Sequence, residues 1–184
     1  MDMFVIGKAV GFVVGIILAI VLIVIFAKNR NTDGSARAKY DERQKIVRGK
    51  GYAVGFYTAM GYFVVVLMFD ILCVKFPLTT GMVAFLGLII TALACVEYCI
   101  IKDAYWGLNE NKKSYKWFFG IVGLINLAIG INEVREEGFF IDGFISDNLI
   151  NLTVGVFLII ILITVFIKDN MDKRAELEDT EEEE

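Results

Sequence analysis

The chain has 184 residues, a formal net charge of −4 and 57% hydrophobic residues, with a mean hydropathy of +0.65. Soluble domains contain about 45–50% apolar residues, and the excess here lies in long runs, which excludes a soluble globular domain and indicates a membrane protein. There is no histidine, and none of the three cysteines has C-x-x-C spacing. Because histidine is the commonest general base and metal ligand, we expect no metal site and no cofactor.

Five apolar stretches separated by charged connections predict an all-α, polytopic membrane helix bundle with five transmembrane helices. The predicted spans form a single transmembrane domain, residues 1–167, and cover residues 4–27, 52–74, 82–101, 117–131 and 149–167. The first stretch is longer than the core of a signal peptide and ends without a small-residue cleavage site, so we interpret it as a retained anchor.

The fourth stretch, residues 117–131, is the weakest of the five. Its 15 residues make about 22 Å of helix, which is less than the roughly 30 Å thickness of the hydrocarbon core. A full span with Lys116 reaching toward the head groups would nearly close this gap. A re-entrant hairpin remains the alternative.

The basic residues alternate between the two sides of the predicted bundle. Fifteen of the 18 lie in the 28–50 connection, the 102–116 connection or the tail after residue 167. Because basic residues in short loops stay in the cytoplasm, the pattern predicts an N-terminus outside and a C-terminus in the cytoplasm. The acidic tail, residues 168–184, is predicted to be disordered and solvated.

Small residues recur along the first stretch, where Gly7, Gly11 and Gly15 are spaced by four. Such a ridge allows a second helix to approach closely, either from the same chain or from a second copy in a homodimer. In the third stretch, Cys95 and Cys99 share one helical face, and we expect them to pack as small apolar side chains.

The connection before the second span is predicted to hold a helix. Asn31 to Gly34 form a turn cluster, and Ser35 is a suitable cap for a helix of about three turns that continues into the span. A different pattern appears later in the chain, where 125–131 and 150–156 share Ile-Asn-Leu and a glycine, 25 residues apart. This similarity is either a weak internal repeat or a coincidence.

Polar side chains inside spans are costly and usually face the interior of the bundle. The spans carry five such residues: Lys8, Asp70, Glu97, Asn126 and Asn151. We predict that Lys8 pairs with Asp70, unless each reaches separately to the head groups, and that Asn126 and Asn151 hydrogen bond to each other. Glu97 either pairs with a basic residue such as Arg48 or Lys50 or marks a path for protons or cations.

Several blocks of the chain resemble a known family. They are 40–44 (Tyr-Asp-Glu-Arg-Gln), 48–52, 55–58, 103–105, 108–111 and the two Ile-Asn-Leu segments. Together they resemble a family of small multi-span membrane proteins of Gram-positive bacteria, mainly Firmicutes, whose activity is not established. The resemblance covers most of the chain. Such proteins are often neighbours of small helix-turn-helix regulators, which implies a regulatory or signalling role by association only.

The resembling blocks 40–52 and 103–111 lie on the same predicted side of the membrane, so we expect them to form one polar cytoplasmic surface. This surface is either a docking site for a protein partner or regulatory ligand, or a salt-bridge network that locks the cytoplasmic helix onto the bundle. In the second case Asp41, Glu42, Asp103 and Glu110 would pair with Arg43, Arg48 and Lys50. The candidate residues are Asp41, Glu42, Arg43, Gln44, Arg48, Lys50, Asp103, Tyr105, Asn109 and Glu110.

An enzyme is not expected. The chain has no metal-ligand cluster and no phosphate-binding glycine loop, and adjacent Asp41 and Glu42 would point about 100° apart on a helix. We expect an accessory, regulatory or signalling membrane protein with a partner at its cytoplasmic face and no nucleic-acid partner. The alternative is a small transporter or channel that uses Glu97 or Asp70. Such a pore can be built by an oligomer.

Overall fold

The protein is an all-α helix bundle, as predicted. The computed structural model describes residues 3–74, 77–141, 143–145 and 149–182. These form helices α1 (Met3–Arg30), α2 (Glu42–Ile71), α3 (Thr80–Ile101), α4 (Lys112–Glu137) and α5 (Leu149–Glu182), with two-residue strands β1 (Phe140–Ile141) and β2 (Phe144–Ile145). Helices α2 to α5 are long and apolar enough to cross a membrane, and α1 contributes a shorter apolar helix, 13–28. Their exposed apolar side chains contact the lipid bilayer.

Three of the helices begin at a side-chain cap. Asp41, Thr79 and Asn111 each accept a hydrogen bond from a backbone N–H three residues further along the chain, at the start of α2, α3 and α4. These bonds satisfy N–H groups that the first helical turn leaves without partners. At its other end α4 stops at Gly138, whose φ of 85° is strained for residues with a side chain.

The predicted start of this helix at Ser35 is wrong, although its later part is helical and leads into the second span. Residues 32–41 are irregular, and α2 begins at Glu42 and runs without a break past Gly49. The Ser35 hydroxyl donates to the carbonyl of Arg37 and accepts from its N–H. This local turn offers the backbone an alternative to helical hydrogen bonds.

Helix α4 is long enough for a full span. Its 26 residues make about 39 Å of continuous helix, because it extends beyond the apolar stretch at both ends. After α4, the N–H of Ile145 donates to the carbonyl of Pro77 at 2.6 Å, which joins the β1–β2 hairpin to the α2–α3 connection. The re-entrant alternative is therefore wrong.

The other connections meet at the end of the bundle that we call the basic end. There the N–H of Thr32 donates to the carbonyl of Asn109 at 2.8 Å, and Lys168 pairs with Asp103 at 2.9 Å. The three segments that carry most of the basic residues thus share one end, and the β1–β2 hairpin lies at the opposite end.

The prediction of a disordered tail after residue 167 is also wrong, because α5 continues to Glu182. Ion pairs hold its first turns beyond the apolar stretch. Asp169 pairs with Lys112 at 2.7 Å and with Lys116, while Lys168 pairs with Asp172 one turn later. Charged side chains at i,i+4 spacing support a helix that has no apolar face.

The seam between α4 and α5 is built from the two similar segments, 125–131 and 150–156. A Cβ added to Gly130 would lie 2.7 Å from the Cα of Leu152, and one added to Gly155 would lie 2.7 Å from the backbone nitrogen of Leu127. Each copy thus places its leucine on the glycine of the other. The two antiparallel helices meet backbone to backbone, as small residues permit in membranes.

A second close seam joins α2 and α3. A Cβ on Gly51 would lie 2.6 Å from the Sγ of Cys99, and one on Gly55 would lie 3.3 Å from the Cβ of Cys95. These two cysteines therefore pack as small side chains, as predicted. Cys73 differs, because it is exposed at the end of α2 with a φ of 54°.

Helix α1 touches the bundle mainly near the basic end. Phe26 packs on Tyr115 and Phe118, with ring centroids 5.6 and 4.3 Å apart. By contrast, the glycines spaced by four along α1 form a ridge, which we call the α1 ridge: Gly7, Gly11 and Gly15. A Cβ built on any of these glycines would have nothing within 4 Å among the described residues. Packing of this ridge within the chain, one of the two predicted alternatives, is not what the structure shows.

Candidate functional site at the basic end

Asn109 joins the two connections that meet at the basic end, residues 31–41 (the first connector) and 102–111 (the second connector). Its side-chain oxygen accepts from the N–H of Lys39 at 2.7 Å, and its amide nitrogen donates to Asp33 Oδ1 at 2.9 Å and to the Arg37 carbonyl at 3.0 Å. Its side chain is buried and every polar atom has a partner. Asn109 therefore specifies one arrangement of the two connectors.

Asp33 is the charged member of this arrangement. Its carboxylate pairs with Lys39 at 2.6 Å and accepts hydrogen bonds from Asn109 and from the N–H of Ser35. The Lys39 ammonium, followed by these two donors, holds the pKa of Asp33 well below its ordinary value of 3.8.

We expect the first connector to loosen in acid. A carboxylate whose pKa is lower in the folded state stabilises the fold above its unfolded pKa, and this contribution is lost as the pH falls through the folded value. Hydrogen exchange of peptides covering 31–41, corrected for intrinsic rates, should therefore rise relative to the rest of the chain below about pH 3.8. Asp33→Asn should remove this rise and Glu178→Gln should preserve it; equal acid responses in all three proteins would contradict the assignment.

Gln44 fixes the start of α2 and ties it to the second connector. Asp41 Oδ1 accepts from the Gln44 N–H at 2.6 Å, and Gln44 Oε1 accepts from the Asp41 N–H at 3.2 Å. The Gln44 amide nitrogen also donates to the carbonyls of Asp103 and Trp106, at 3.2 and 3.1 Å. The Asp-x-x-Gln spacing of this capping box is readable in sequence, and we did not use that signal.

Removing the Asp41 cap should lower the free energy of unfolding by a moderate amount. Asp41→Ala leaves N–H groups of the first turn of α2 unpaired and is expected to lower the free energy of unfolding by about 1–2 kcal/mol. Glu42→Ala, one position later and exposed, is the matched control and should change it by less than about 0.5 kcal/mol. Titration of the purified protein with dodecyl sulfate, followed by circular dichroism, measures both; equal effects would argue against the cap.

Two arginines of α2 bind backbone carbonyls, and the predicted salt-bridge network is wrong in its partners. Arg43 donates to the carbonyl of Lys102 at 2.8 Å, and Arg48 donates to those of Ala104 and Tyr105 at 3.2 and 3.3 Å. These carbonyls lie at and just after the C-terminus of α3, where carbonyl groups lack helical partners and the helix dipole favours a cation. The Arg48 guanidinium also lies 4.1 Å from the centroid of the Tyr40 ring.

The acidic candidates have other partners as well. Glu42 pairs with Lys45 in its own helix at 2.6 Å, and Glu110 accepts from the N–H of Gly107 at 2.6 Å. Asp103, whose φ is 55°, pairs with Lys168 of α5. Lys50 is exposed. The start of α2 is therefore fastened to the bundle, as one alternative had it, but through backbone carbonyls of the second connector rather than through salt bridges.

Aromatic packing completes the second connector. The ring of Trp106 lies 4.7 Å from that of Tyr105 and 5.4 Å from that of Tyr115, between centroids. Burial raises the pKa of Tyr105 to about 12. Gly107 lets the connectors touch, because a Cβ there would lie 3.0 Å from the carbonyl oxygen of Lys39.

The hydrogen bond predicted between Asn126 and Asn151 is not formed. Asn126 donates to the carbonyl of Val122 in its own helix at 2.8 Å, and Asn151 donates to both carboxylate oxygens of Glu133, at 3.0 and 3.1 Å. Each asparagine is one residue before a seam leucine, so it lies about 100° away from the seam. Glu133 was missed because we assigned it to a loop, whereas α4 includes it.

The other intramembrane predictions have separate outcomes. Asp70 is exposed near the end of α2, and the side chain of Lys8 lies outside the described part of the chain, so their pairing stays a prediction. The predicted pairing of Glu97 with Arg48 or Lys50 is wrong. Glu97 forms no ion pair with a described residue, and its Oε1 is buried without a hydrogen-bond partner among them.

The accessible part of the basic end is therefore smaller than predicted. Gln44 and Asn109 are buried, and the two arginines are engaged with the second connector. Of the candidate residues, the exposed ones are Asp41, Glu42, Arg43, Lys50 and Asp103, and acidic side chains late in α5 are exposed as well: Glu176, Glu178 and Asp179. Comparisons of the chain with protein-family models, with curated proteins and with solved structures find no match.

Proposed function

We propose that this integral membrane protein is an accessory or regulatory component that docks a protein partner at its basic end. The observation that carries the proposal is the fastening of both connectors by Asn109 and Gln44, whose side chains are buried and hydrogen bonded. A surface that is ordered before binding loses less conformational freedom when a partner arrives, so more of the contact energy appears as binding affinity.

The proposed orientation places this end in the cytoplasm. Fifteen of the 18 basic residues belong to its three segments, and basic residues in short connections are retained on the cytoplasmic side. The N-terminus would then lie outside the cell membrane. Labelling of Cys73, which is exposed at the opposite end, by an impermeant maleimide on intact cells tests this orientation. Labelling only after cell lysis would contradict it.

The contact surface proposed for the partner is the acidic extension of α5, residues 170–182, together with Glu42, Lys50 and Asp103. The side chains of Glu176, Glu178 and Asp179 are exposed and have no ion pair among the described residues. They would attract a basic segment of the partner, and such rim charges act mainly on the association rate and on specificity.

Photo-crosslinking in native membranes tests the docking proposal. A photo-activatable amino acid at position 178 should capture a protein that the same amino acid at lipid-facing position 163 does not capture. The double reversal Glu176→Lys with Asp179→Lys should abolish this crosslink, while Lys113→Glu on α4 should retain it. The same crosslinked proteins at positions 178 and 163 would count against docking. So would a crosslink at position 178 that persists in the double reversal.

We further propose that the α1 ridge is a contact between two copies of the chain. Within one chain nothing lies within 4 Å of a Cβ built on Gly11, and small residues at four-residue spacing permit close helix approach. Gly11→Ile should convert dimers to monomers in single-molecule photobleaching, and Gly61→Ile, which is equally free of neighbours, should not. Monomers in the unaltered protein would refute this contact.

A small transporter or channel is the second candidate function. It is favoured by the buried Glu97 Oε1, which has no hydrogen-bond partner among the described residues. Asp70 belongs to the other end of the α2–α3 pair, about 26 Å from Glu97 along the helix axes, since Gly51 lies level with Cys99. Ion flux into proteoliposomes that falls with Glu97→Gln or Asp70→Asn would support this function, and absence of flux for protons, Na⁺ and K⁺ would remove it.

A further inference from the structure

The end of the bundle opposite to the basic end contains a cavity of about 900 Å³ between α2, α3 and the β1–β2 hairpin. The cavity forms because α2 and α3 are in close contact only at Gly51 and Gly55. Nearer the opposite end of the bundle, a large side chain keeps the two helices apart. The ring of Tyr62 fills the gap at Gly87, and its hydroxyl donates to the carbonyl of Val83 at 2.6 Å.

The hairpin closes one side of this cavity. Ile145 is held by its hydrogen bond to the carbonyl of Pro77, and Leu78 forms a bridge with the same residue. As a result Gly143 and Phe144 line the cavity opposite the last turns of α2. The volume lies within the range of about 300–1,000 Å³ that is typical of small-molecule sites.

The lining of the cavity combines apolar walls with one carboxylate. Asp70 is exposed to the cavity and has no ion pair or side-chain hydrogen bond with any described residue, and aromatic rings of Tyr62, Phe69 and Phe144 surround the same space. A carboxylate together with aromatic faces is the combination that recognises an organic ammonium group.

A second, apolar cavity of about 300 Å³ lies beside the first, between α3 and α5. Leu86 lines both, and the second is otherwise lined by side chains such as Ile89, Leu93 and Phe157. A molecule whose charged group lies near Asp70 therefore has a groove for a hydrocarbon chain next to it.

We propose that this cavity binds an amphiphile with an ammonium group, which pairs with Asp70 while its chain lies along α3. The ammonium group can belong to a free alkylammonium compound or to the head group of phosphatidylethanolamine. This site is separate from the docking surface at the basic end and does not depend on the proposed function.

Cys73 supplies the readout, because it is exposed and lines the cavity. In nanodiscs made only of phosphatidylglycerol, dodecyltrimethylammonium should slow maleimide labelling of Cys73 by about fivefold or more, whereas an uncharged dodecyl ether should not. In Asp70→Asn this protection should require about tenfold more ligand or disappear. In Val66→Phe, which fills the cavity without removing a charge, protection should also disappear.

A comparison with nanodiscs that contain phosphatidylethanolamine distinguishes the two sources of the ammonium group. Slow labelling in nanodiscs that contain phosphatidylethanolamine, without added ligand and reversed by Asp70→Asn, assigns the site to the lipid head group. Protection only by the added compound assigns it to a free amphiphile. Equal protection in the unaltered protein and Asp70→Asn, or equal protection by the uncharged ether, would overturn the proposal. Glu136→Gln, an exposed carboxylate of α4 that does not line the cavity, controls for a general loss of charge, and thermal unfolding confirms that each variant is folded.

Discussion

Gly130→Ala is expected to destabilise the bundle by about 2–3 kcal/mol, the largest effect that we expect from the addition of a single methyl group. The new Cβ would lie 2.7 Å from the Cα of Leu152, so the backbones of α4 and α5 must separate. Separation also weakens the reciprocal contact of Leu127 with Gly155, because both contacts belong to one seam. Titration with dodecyl sulfate, monitored through the fluorescence of Trp106 and Trp117, measures the loss.

Gly61→Ala is the matched control for this substitution. Gly61 also lies in the interior of an apolar helix, but nothing lies within 4 Å of a Cβ at this position. The greater helix propensity of alanine should leave its stability unchanged or raise it by up to about 1 kcal/mol. Equal effects of Gly61→Ala and Gly130→Ala would show that the seam is not tightly packed.

Second-site changes distinguish a clash with backbone from a clash with a side chain. Gly51→Ala meets the Sγ of Cys99, so Cys99→Ala should restore most of the lost stability. Gly130→Ala meets the backbone of Leu152, so Leu152→Ala should not restore it and should add a cavity. Rescue by Leu152→Ala would contradict the arrangement of the α4–α5 seam.

Asn109→Ala is expected to release the first connector. The substitution removes three side-chain hydrogen bonds and leaves the N–H of Lys39 and the carbonyl of Arg37 without those partners. At a cost of about 2–3 kcal/mol, local opening should become about 30-fold more frequent or more. Trypsin should then cleave after Arg37 and Lys39 in membrane vesicles that expose the basic end, at a rate increased by a similar factor.

Asn170→Ala is the control for this experiment, because Asn170 is an exposed asparagine of α5 at the same end of the bundle. It should leave the cleavage rate after Lys39 unchanged. Because opening is local, Asn109→Ala should raise the cleavage rate strongly but shift the midpoint of global unfolding only slightly. Cleavage at the same rate in both variants would refute the role assigned to Asn109.

The sequence predicted the helices better than it predicted what holds their connections. Apolar runs locate spans because lipid requires long uninterrupted helices, and the alternation of basic residues placed the connectors correctly at one end. The residues at which the helices end were harder to predict from the sequence. The charged residues from Lys168 onward predict a disordered tail, whereas in the structure they continue α5 and pair with Asp103 and Lys112.

The sequence predicted that the two connectors lie at the same end of the bundle, but it did not predict their contacts. Asp41, Gln44 and Asn109 were all named, yet opposite charges were assumed to pair with each other. Arg43 and Arg48 instead bind carbonyls at the end of α3. Backbone carbonyls are present at every residue, so no side-chain pattern marks which of them a guanidinium will reach. Glu133 was missed for a related reason, since its partner Asn151 is specified by how α4 and α5 cross.

The two kinds of contact described above also imply an order of assembly during synthesis. The α4–α5 seam joins neighbouring helices, so these two can pair as soon as both have left the translocation channel. Asn109 contacts Asp33 across 76 residues, so the first connector must wait, with Arg37 and Lys39 uncovered, until the second connector emerges. A ribosome that stalls before residue 109 would therefore leave a basic, protease-sensitive segment at the membrane surface, by which cellular quality control could distinguish an unfinished chain from a finished one.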